Sequence, residues 1–394
     1  MKFIDNIPVW GDPQPNAVEQ MKNALKSGGE GALMADHHLG YSVPVGGVIA
    51  YSDKVSPSGV GFDIACGNKA VLTDAKLSDI RRDIKPIMDD IFRSISFGVG
   101  RVNNEKVDHE LFESSVWKLE SVADQKQKAE AQLGTVGSGN HYVDIFHDEQ
   151  ERIWIGVHFG SRGLGHHIAS HYIKAGGGKD GIDVAPVIMD VDSELGIEYL
   201  RAMGLAGKFA YAGRDWVCER VVRIIGANIL DEVHNHHNFT WLENHGSNLD
   251  PKMLWITRKG ATPAFPRQRG FVGGTMFENA VILEGVETWT ESKLSFHSTV
   301  HGAGRVLSRS QAAGSRKARR KGLGGGCVTP EMMKDWQNQA GVELRGGDVD
   351  ESPHCYKRLN DVLLAHANTV KILNVLTPIG VAMAGRNEYD PYKD

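Results

Sequence analysis

Short apolar runs that open or close on glycine limit what this chain can fold into. "GGVIAYSD", "RIWIGVHFG" and "NAVILEG" carry the branched and aromatic residues that suit a pleated, half-buried strand, and glycines at their boundaries let the chain turn sharply. Helical periodicity appears in "PNAVEQMKNALKS", in "KLSDIRRDIKPIMDDIFRSI" and in "FESSVWKLESVADQKQKAEAQLG", which Gly134 stops. It returns from Ser193 to about Leu230 and from Tyr356 to about Leu376. These elements lack the regular βαβ rhythm of a doubly wound sheet, and no Gly-Lys-Ser/Thr phosphate loop or GxGxxG before a helix is present. The expected class is therefore α+β and not Rossmann: central mixed β-structure with peripheral helices. No internal repeat or low-complexity linker divides residues 1–394, so a single compact domain is expected.

Composition narrows the function classes. No window approaches the ~20 continuous apolar residues of a membrane helix, and the start "MKFIDNIPVWGDPQPN" lacks a signal peptide's apolar core, so a cytoplasmic location and no membrane partner are expected. Cys66, Cys218, Cys327 and Cys355 form no CxxC pair, which argues against disulfides and zinc fingers. A net charge of -5 excludes a general basic coat, so any nucleic-acid contact must come from a local patch. The 17 histidines and 46 glycines suggest loops carrying polar ligands on an irregular scaffold.

Several of those loops carry groups suited to chemistry. In "GVGFDIACGN", Asp63 and Cys66 lie three apart between glycines; a carboxylate and a thiolate so placed suit a divalent transition metal, and equally a buried cysteine beside a turn-forming aspartate. "LGTVGSGNHYVDIF" sets Asn140 and His141 at the start of a strand, and "WIGVHFGSRGLGHH" ends a strand at His158 before Ser161, Arg162 and Gly163. "DEVHNHHNF" adds His237 and Asn238, a pair that fits metal ligation beside phosphate hydrogen bonding or a merely polar helix end. "TRKGATPAFP", with Arg258 and Lys259, and "FVGGTMFENA", with Thr275, look suited to holding an anion on backbone N–H groups. In "FHSTVHGAGRVLSRSQ", His301 precedes a Gly-Ala-Gly turn and stands where a reacting group can stand. The run that follows carries Arg309, Arg316, Lys317, Arg319, Arg320 and Lys321, fit to track a phosphate backbone or to form a solvated helix.

Taken together, "ADHHLGYSVPVGGVIA", "GVGFDIACG", "GTVGSGNHYVDI", "VHFGSRGLG", "HHNF", "RKGATPA", "GGTM" and "HGAGR" resemble, in order, the motifs of the RtcB family of RNA ligases. The resemblance implies that Asp63, Cys66, His141, His158 and His237 hold one or two Mn²⁺ ions, with Cys66 bridging, and that His301 attacks the α-phosphorus of GTP to give a histidine–GMP intermediate. It places Asn140, Asp144, Asn238, Thr275, Gly302, Ala303, Gly304 and Tyr356 at the nucleotide, Arg162, Arg305 and Arg309 at RNA phosphates, and Asp36 near the metals. The implied substrate is RNA with a 3′-phosphate or 2′,3′-cyclic phosphate end and a 5′-hydroxyl end, sealed in tRNA splicing or RNA repair, with an archease-like activator as a further partner. The alternative is a metal-dependent phosphodiesterase, or a nucleotidyltransferase that caps 3′-phosphates with altered nucleotide choice.

Departures from the family pattern fall around the base. Asp144 stands where the family usually has Glu, Gly273–Met276 reads Gly-Gly-Thr-Met for Pro-Gly-Ser-Met, and Ala384 precedes Gly385 where family chains end in Lys-Gly. Residues 386–394, with Arg386 and Lys393, are read as a short extension outside the family pattern.

Overall fold

The computed structural model describes residues 1–247, 249–287, 290–315 and 325–385. The basic positions Arg316, Lys317, Arg319, Arg320 and Lys321 and the extension 386–394 lie outside these residues.

Two sheets form the centre. The larger has eight strands, running Ile229–His236, Gly67–Lys76, Arg152–Phe159, Tyr142–His147, Val370–Gly385, Ala280–Gly285 and Arg269–Val272, with Glu343–Gly347 added in parallel on Val370–Gly385. Its other pairings are antiparallel. The smaller has six: Lys2–Ile4, Ile7–Val9, Glu30–His38, Val45–Tyr51, Met253–Lys259 and Asn238–Asn244. This mixed, largely antiparallel pairing gives the expected α+β class and excludes a doubly wound sheet.

Helices cover the sheets from outside. The longest, Glu194–Ile225, starts where the Ser193 hydroxyl accepts from the Gly196 N–H at 3.1 Å and stops at Gly226, whose φ of 67° only glycine adopts freely. Its Val217, Val221 and Val222 bury against Val71, Ile155 and Val157 of the larger sheet. Burying each such side chain contributes about 1.5–3 kcal/mol.

Three expected elements differ. The helix expected over 356–376 is confined to Leu359–Ala365, and Val370–Gly385 is a strand. "FESSVWKLESVADQKQKAEAQLG" folds as two 3₁₀ turns and two short helices rather than one helix. The "HNHHNF" segment is not a helix end: the chain leaves the larger sheet at His236 and enters the smaller one at Asn238, so His237 stands at the crossing.

Candidate active site

That crossing explains where the polar residues go. Cys66 immediately precedes the strand Gly67–Lys76, His158 nearly ends Arg152–Phe159, His141 precedes Tyr142–His147, and Asp36 lies near the end of Glu30–His38. Strand ends hold side chains rigidly while the adjoining loops leave room for a ligand. They border one cavity of about 290 Å³ that Asp63, Cys66, His141, His158, His237 and His301 line together.

Donor atoms converge tightly there. Cys66 Sγ lies 3.2 Å from His158 Nε2 and 3.5 Å from His141 Nε2, His158 Nε2 lies 3.3 Å from His237 Nε2, and Asp63 Oδ2 lies 3.0 Å from His141 Nε2. His158 Nδ1 donates to the Asn140 carbonyl at 3.0 Å, which leaves its Nε2 lone pair facing the cluster. His141 Nδ1 and His237 Nδ1 are buried with no hydrogen-bond partner among the described residues. Burial holds His158 and His237 well below the ordinary histidine value, so neutral imidazoles face a thiol and a carboxylate. Burial raises the Asp63 carboxyl, but hydrogen bonding and charge from His141 outweigh it and bring it down to about 2. Cys66, His141 and His158 offer donor atoms all within 4.8 Å of one another, with Asp63 beside His141 and His237 beside His158; such thiol, imidazole and carboxylate donors suit a borderline divalent transition metal and not Mg²⁺ or Ca²⁺, which want oxygen shells. Gly160 makes the cluster possible, since a Cβ there would lie 2.1 Å from Asp63 Oδ1.

His301 enters from the other side, its ring 4.9 Å from that of His237. Asp36 is fully buried, and its Oδ2 accepts from His301 Nδ1 at 2.6 Å, from the His301 N–H at 2.9 Å and from the Gly302 N–H at 3.3 Å. Burial raises the Asp36 carboxyl, but the charge and hydrogen bonds of His301 reverse this and hold it below the ordinary carboxylate value. With Nδ1 donating to the carboxylate, Nε2 is the ring nitrogen left for bond formation, the arrangement of an oriented nucleophile. Gly304, at φ +78°, lets the turn pass the Asp36 carbonyl, where a Cβ would sit 2.2 Å away.

Asn140, Asp144, Asn238, Thr275, Gly302, Ala303, Gly304 and Tyr356 line the same cavity, as do Arg305 and Arg309. Asn238 braces the loops, donating to the Asp63 carbonyl at 3.2 Å and accepting from the Gly260 N–H at 2.7 Å. Arg305 donates to Tyr356 Oη at 2.7 Å and to Glu351 at 3.3 Å, and Arg309 also pairs with Glu351. Asp144 Oδ1 and Tyr142 Oη are buried without partners among the described residues, and burial pushes the Asp144 carboxyl well up. Arg162 lines a second cavity of about 470 Å³, which shares Asp63 and His141 with the first, and donates to the Gly98 carbonyl at 3.0 Å. Of the "TRKG" pair only Lys259 reaches the site: Arg258 is fully buried against Glu243 at 2.7 Å and the Phe296 carbonyl at 2.8 Å. His38, Tyr142 and Glu351 also line the first cavity; His38 and Tyr142 lie inside the motifs "ADHHLGYSVPVGGVIA" and "GTVGSGNHYVDI" but have no role assigned there from the sequence, and Glu351 lies outside every such motif.

Fold and site together define an α+β protein in which a histidine held by a buried aspartate faces a cysteine–histidine cluster fit for a transition metal. The family model described as tRNA-splicing ligase RtcB matches residues 19–384, and the chain belongs to the RtcB family. It is 28% identical to tRNA-splicing ligase RtcB of Archaeoglobus fulgidus over 94% of this chain and 91% of that one. It is 29% identical to the protein of the same name from Thermococcus kodakarensis, over 94% and 91%. It is 27% identical to RNA-splicing ligase RtcB of Escherichia coli K12, over 88% of each. Among the described residues no helix is long and apolar enough to cross a membrane.

Proposed function

We propose that this protein is an RNA ligase that joins 2′,3′-cyclic phosphate or 3′-phosphate RNA ends to 5′-hydroxyl ends, working in the cytoplasm as one catalytic unit with GTP and Mn²⁺. The observation that carries the reading is the hydrogen bond from His301 Nδ1 to buried Asp36 in the cavity that the metal-ligand cluster also lines, with the His301 ring 4.9 Å from that of His237. His301 Nε2 forms a bond to the α-phosphorus of GTP as the bond to the β-phosphate oxygen breaks, and pyrophosphate leaves with that electron pair. A 3′-phosphate oxygen then takes GMP from the histidine, and the 5′-hydroxyl oxygen displaces GMP from the 3′-phosphorus. Asp36 stabilises the charge that develops on the ring as Nε2 bonds to phosphorus. Asp63, Cys66, His141, His158 and His237 would hold Mn²⁺, which when bound neutralises charge on the phosphoryl oxygens. Lys259, Arg305 and Arg309 add positive charge for the nucleotide and RNA phosphates, and Arg162 in the adjoining cavity adds it for the second strand. An archease-like activator is the further partner of this reading.

A second reading, capping of 3′-phosphate ends with relaxed nucleotide choice, is favoured by one observation. Ala384, at the position of the family's C-terminal lysine, is 8% exposed and buries its methyl in the apolar cluster with Val143 and Ile145. The test is incubation of RNA bearing 3′-phosphate and 5′-hydroxyl ends with Mn²⁺ and GTP. A sealed strand is expected; a 3′-nucleotidylated strand that stays open supports capping, and a cyclic phosphate opened without GTP use supports hydrolysis alone.

A further inference from the structure

Arg214, on the helix Glu194–Ile225, has no exposed surface and lies outside every motif read in the sequence. Its guanidinium donates from Nη1 to the Ala65 carbonyl at 3.0 Å and to the Phe159 carbonyl at 2.5 Å, from Nη2 to His236 Nδ1 at 2.9 Å, and from Nε to His234 Nε2 at 2.8 Å. Ala65 precedes Cys66, Phe159 follows His158, and His236 precedes His237. One planar group thus bonds the neighbours of three donors that reach the cluster from separate parts of the chain.

These bonds hold conformations that would not hold themselves. Ala65 sits at φ +60°, a left-handed conformation that an L-residue adopts only when its surroundings fix it. His236 Nδ1 lies 2.9 Å from Arg214 Nη2 and 3.1 Å from the Ala65 carbonyl; because arginine only donates, the bond from the guanidinium needs this nitrogen unprotonated, and the contact with the carbonyl is then not a hydrogen bond. None of the four bonds goes to a carboxylate, so the buried cation carries a desolvation penalty that an apolar side chain would avoid. Packing alone does not explain it. The rigid fork of donors is what lysine lacks.

We propose that Arg214 is the positioning residue of the metal centre, fixing the relative placement of Cys66, His158 and His237 and thereby the affinity and coordination geometry for a divalent transition metal. This rests on the reading of those residues as ligands. The test is titration of the metal-free full-length protein with Co²⁺, followed by thiolate charge-transfer and d–d absorption, for the wild type, Arg214→Lys and His234→Phe. Among the described residues His234 makes no hydrogen bond to a ligand side chain; its Nε2 accepts from the guanidinium and its Nδ1 faces Asp215 at 3.4 Å. The wild type should show both sets of bands. Arg214→Lys should bind Co²⁺ at least tenfold more weakly with shifted d–d bands, and His234→Phe should show a smaller shift in the same direction. Circular dichroism and thermal unfolding of each metal-free protein establish that it is folded; if Arg214→Lys is not, His234→Phe decides. Wild-type affinity and spectrum in the folded variants would overturn the role of Arg214 and leave the ligand assignment standing. Absence of the charge-transfer band from the wild type would instead overturn the ligand assignment, and this inference with it.

Discussion

His301, Asp36 and Lys259 show how burial turns ordinary side chains into reactive ones. Asp36→Asn keeps the shape but removes the charge, and the amide can turn its N–H toward Nδ1, so the histidine loses both its tautomer and the partner for its developing charge. Formation of the nucleotide adduct should fall by about 10²–10⁴-fold in single-turnover labelling, while Co²⁺ binding stays as in the wild type. Burial also lowers the Lys259 ammonium to about 7, and its Nζ donates to the Tyr41 carbonyl at 2.5 Å. A lysine with that value loses its charge as the pH rises from 6 to 8. Nucleotide affinity measured by calorimetry should therefore weaken across that interval in the wild type, whereas Lys259→Arg should give a flatter profile. At this scale much was legible: His301 stood before a glycine turn, and Asp63 and Cys66 were bracketed by glycines. Asp36 was harder to place, because the atom it serves is 265 positions away. Arg258 and Lys259 read together as part of a loop suited to an anion, yet alternation along the strand Met253–Lys259 sends adjacent side chains to opposite faces, and of the two Lys259 lines the cavity.

The first part of the strand Val370–Gly385, up to about Leu376, reads as helix in the sequence because its apolar residues continue the spacing of the preceding segment. Its Val, Ile and Thr content suits a strand, and pairing with Tyr142–His147 and Ala280–Gly285 decides the outcome, as tertiary context commonly overrides local preference. Through that pairing Val381 stands opposite Asp144, so the floor of the cavity is built from segments more than 200 residues apart. Asp144→Ala removes a buried carboxyl whose Oδ1 has no partner among the described residues, and discrimination between GTP and ATP in competition labelling should shrink about tenfold, the loss of one hydrogen bond of about 1.5 kcal/mol. On the loop opposite, Glu351 gathers Arg305, Arg309 and Tyr356. Arg309→Ala should weaken RNA binding and lower its salt slope by about 0.7–0.9, the release of one counterion. An unchanged slope would move the RNA track away from this loop.

Two sheets meet at the site, and the ligands come from both the larger sheet's strand ends and the crossing at His237. A cation bound there ties the sheets together, so metal and stability are linked. At a free concentration a hundred times its Kd, Mn²⁺ should add about 2.7 kcal/mol to stability, and calorimetry should show a higher unfolding midpoint than with a chelator present. Cys66→Ala should abolish most of that difference; an equal response would place the metal elsewhere. The overall class was visible in the glycine-bounded strands, whereas strand order was not, since neighbours such as Gly67–Lys76 and Ile229–His236 are chosen by long-range packing that leaves no local pattern.

The most direct test of the central claim is incubation of the Mn²⁺-loaded protein with α-labelled GTP and, separately, ATP, followed by denaturing electrophoresis and acid treatment of any adduct. An acid-labile GMP adduct that His301→Ala abolishes is the expected result. Label that stays covalently attached to the His301→Ala protein, or no adduct with either nucleotide, would contradict the assignment of His301 as the nucleophile of an RNA ligase.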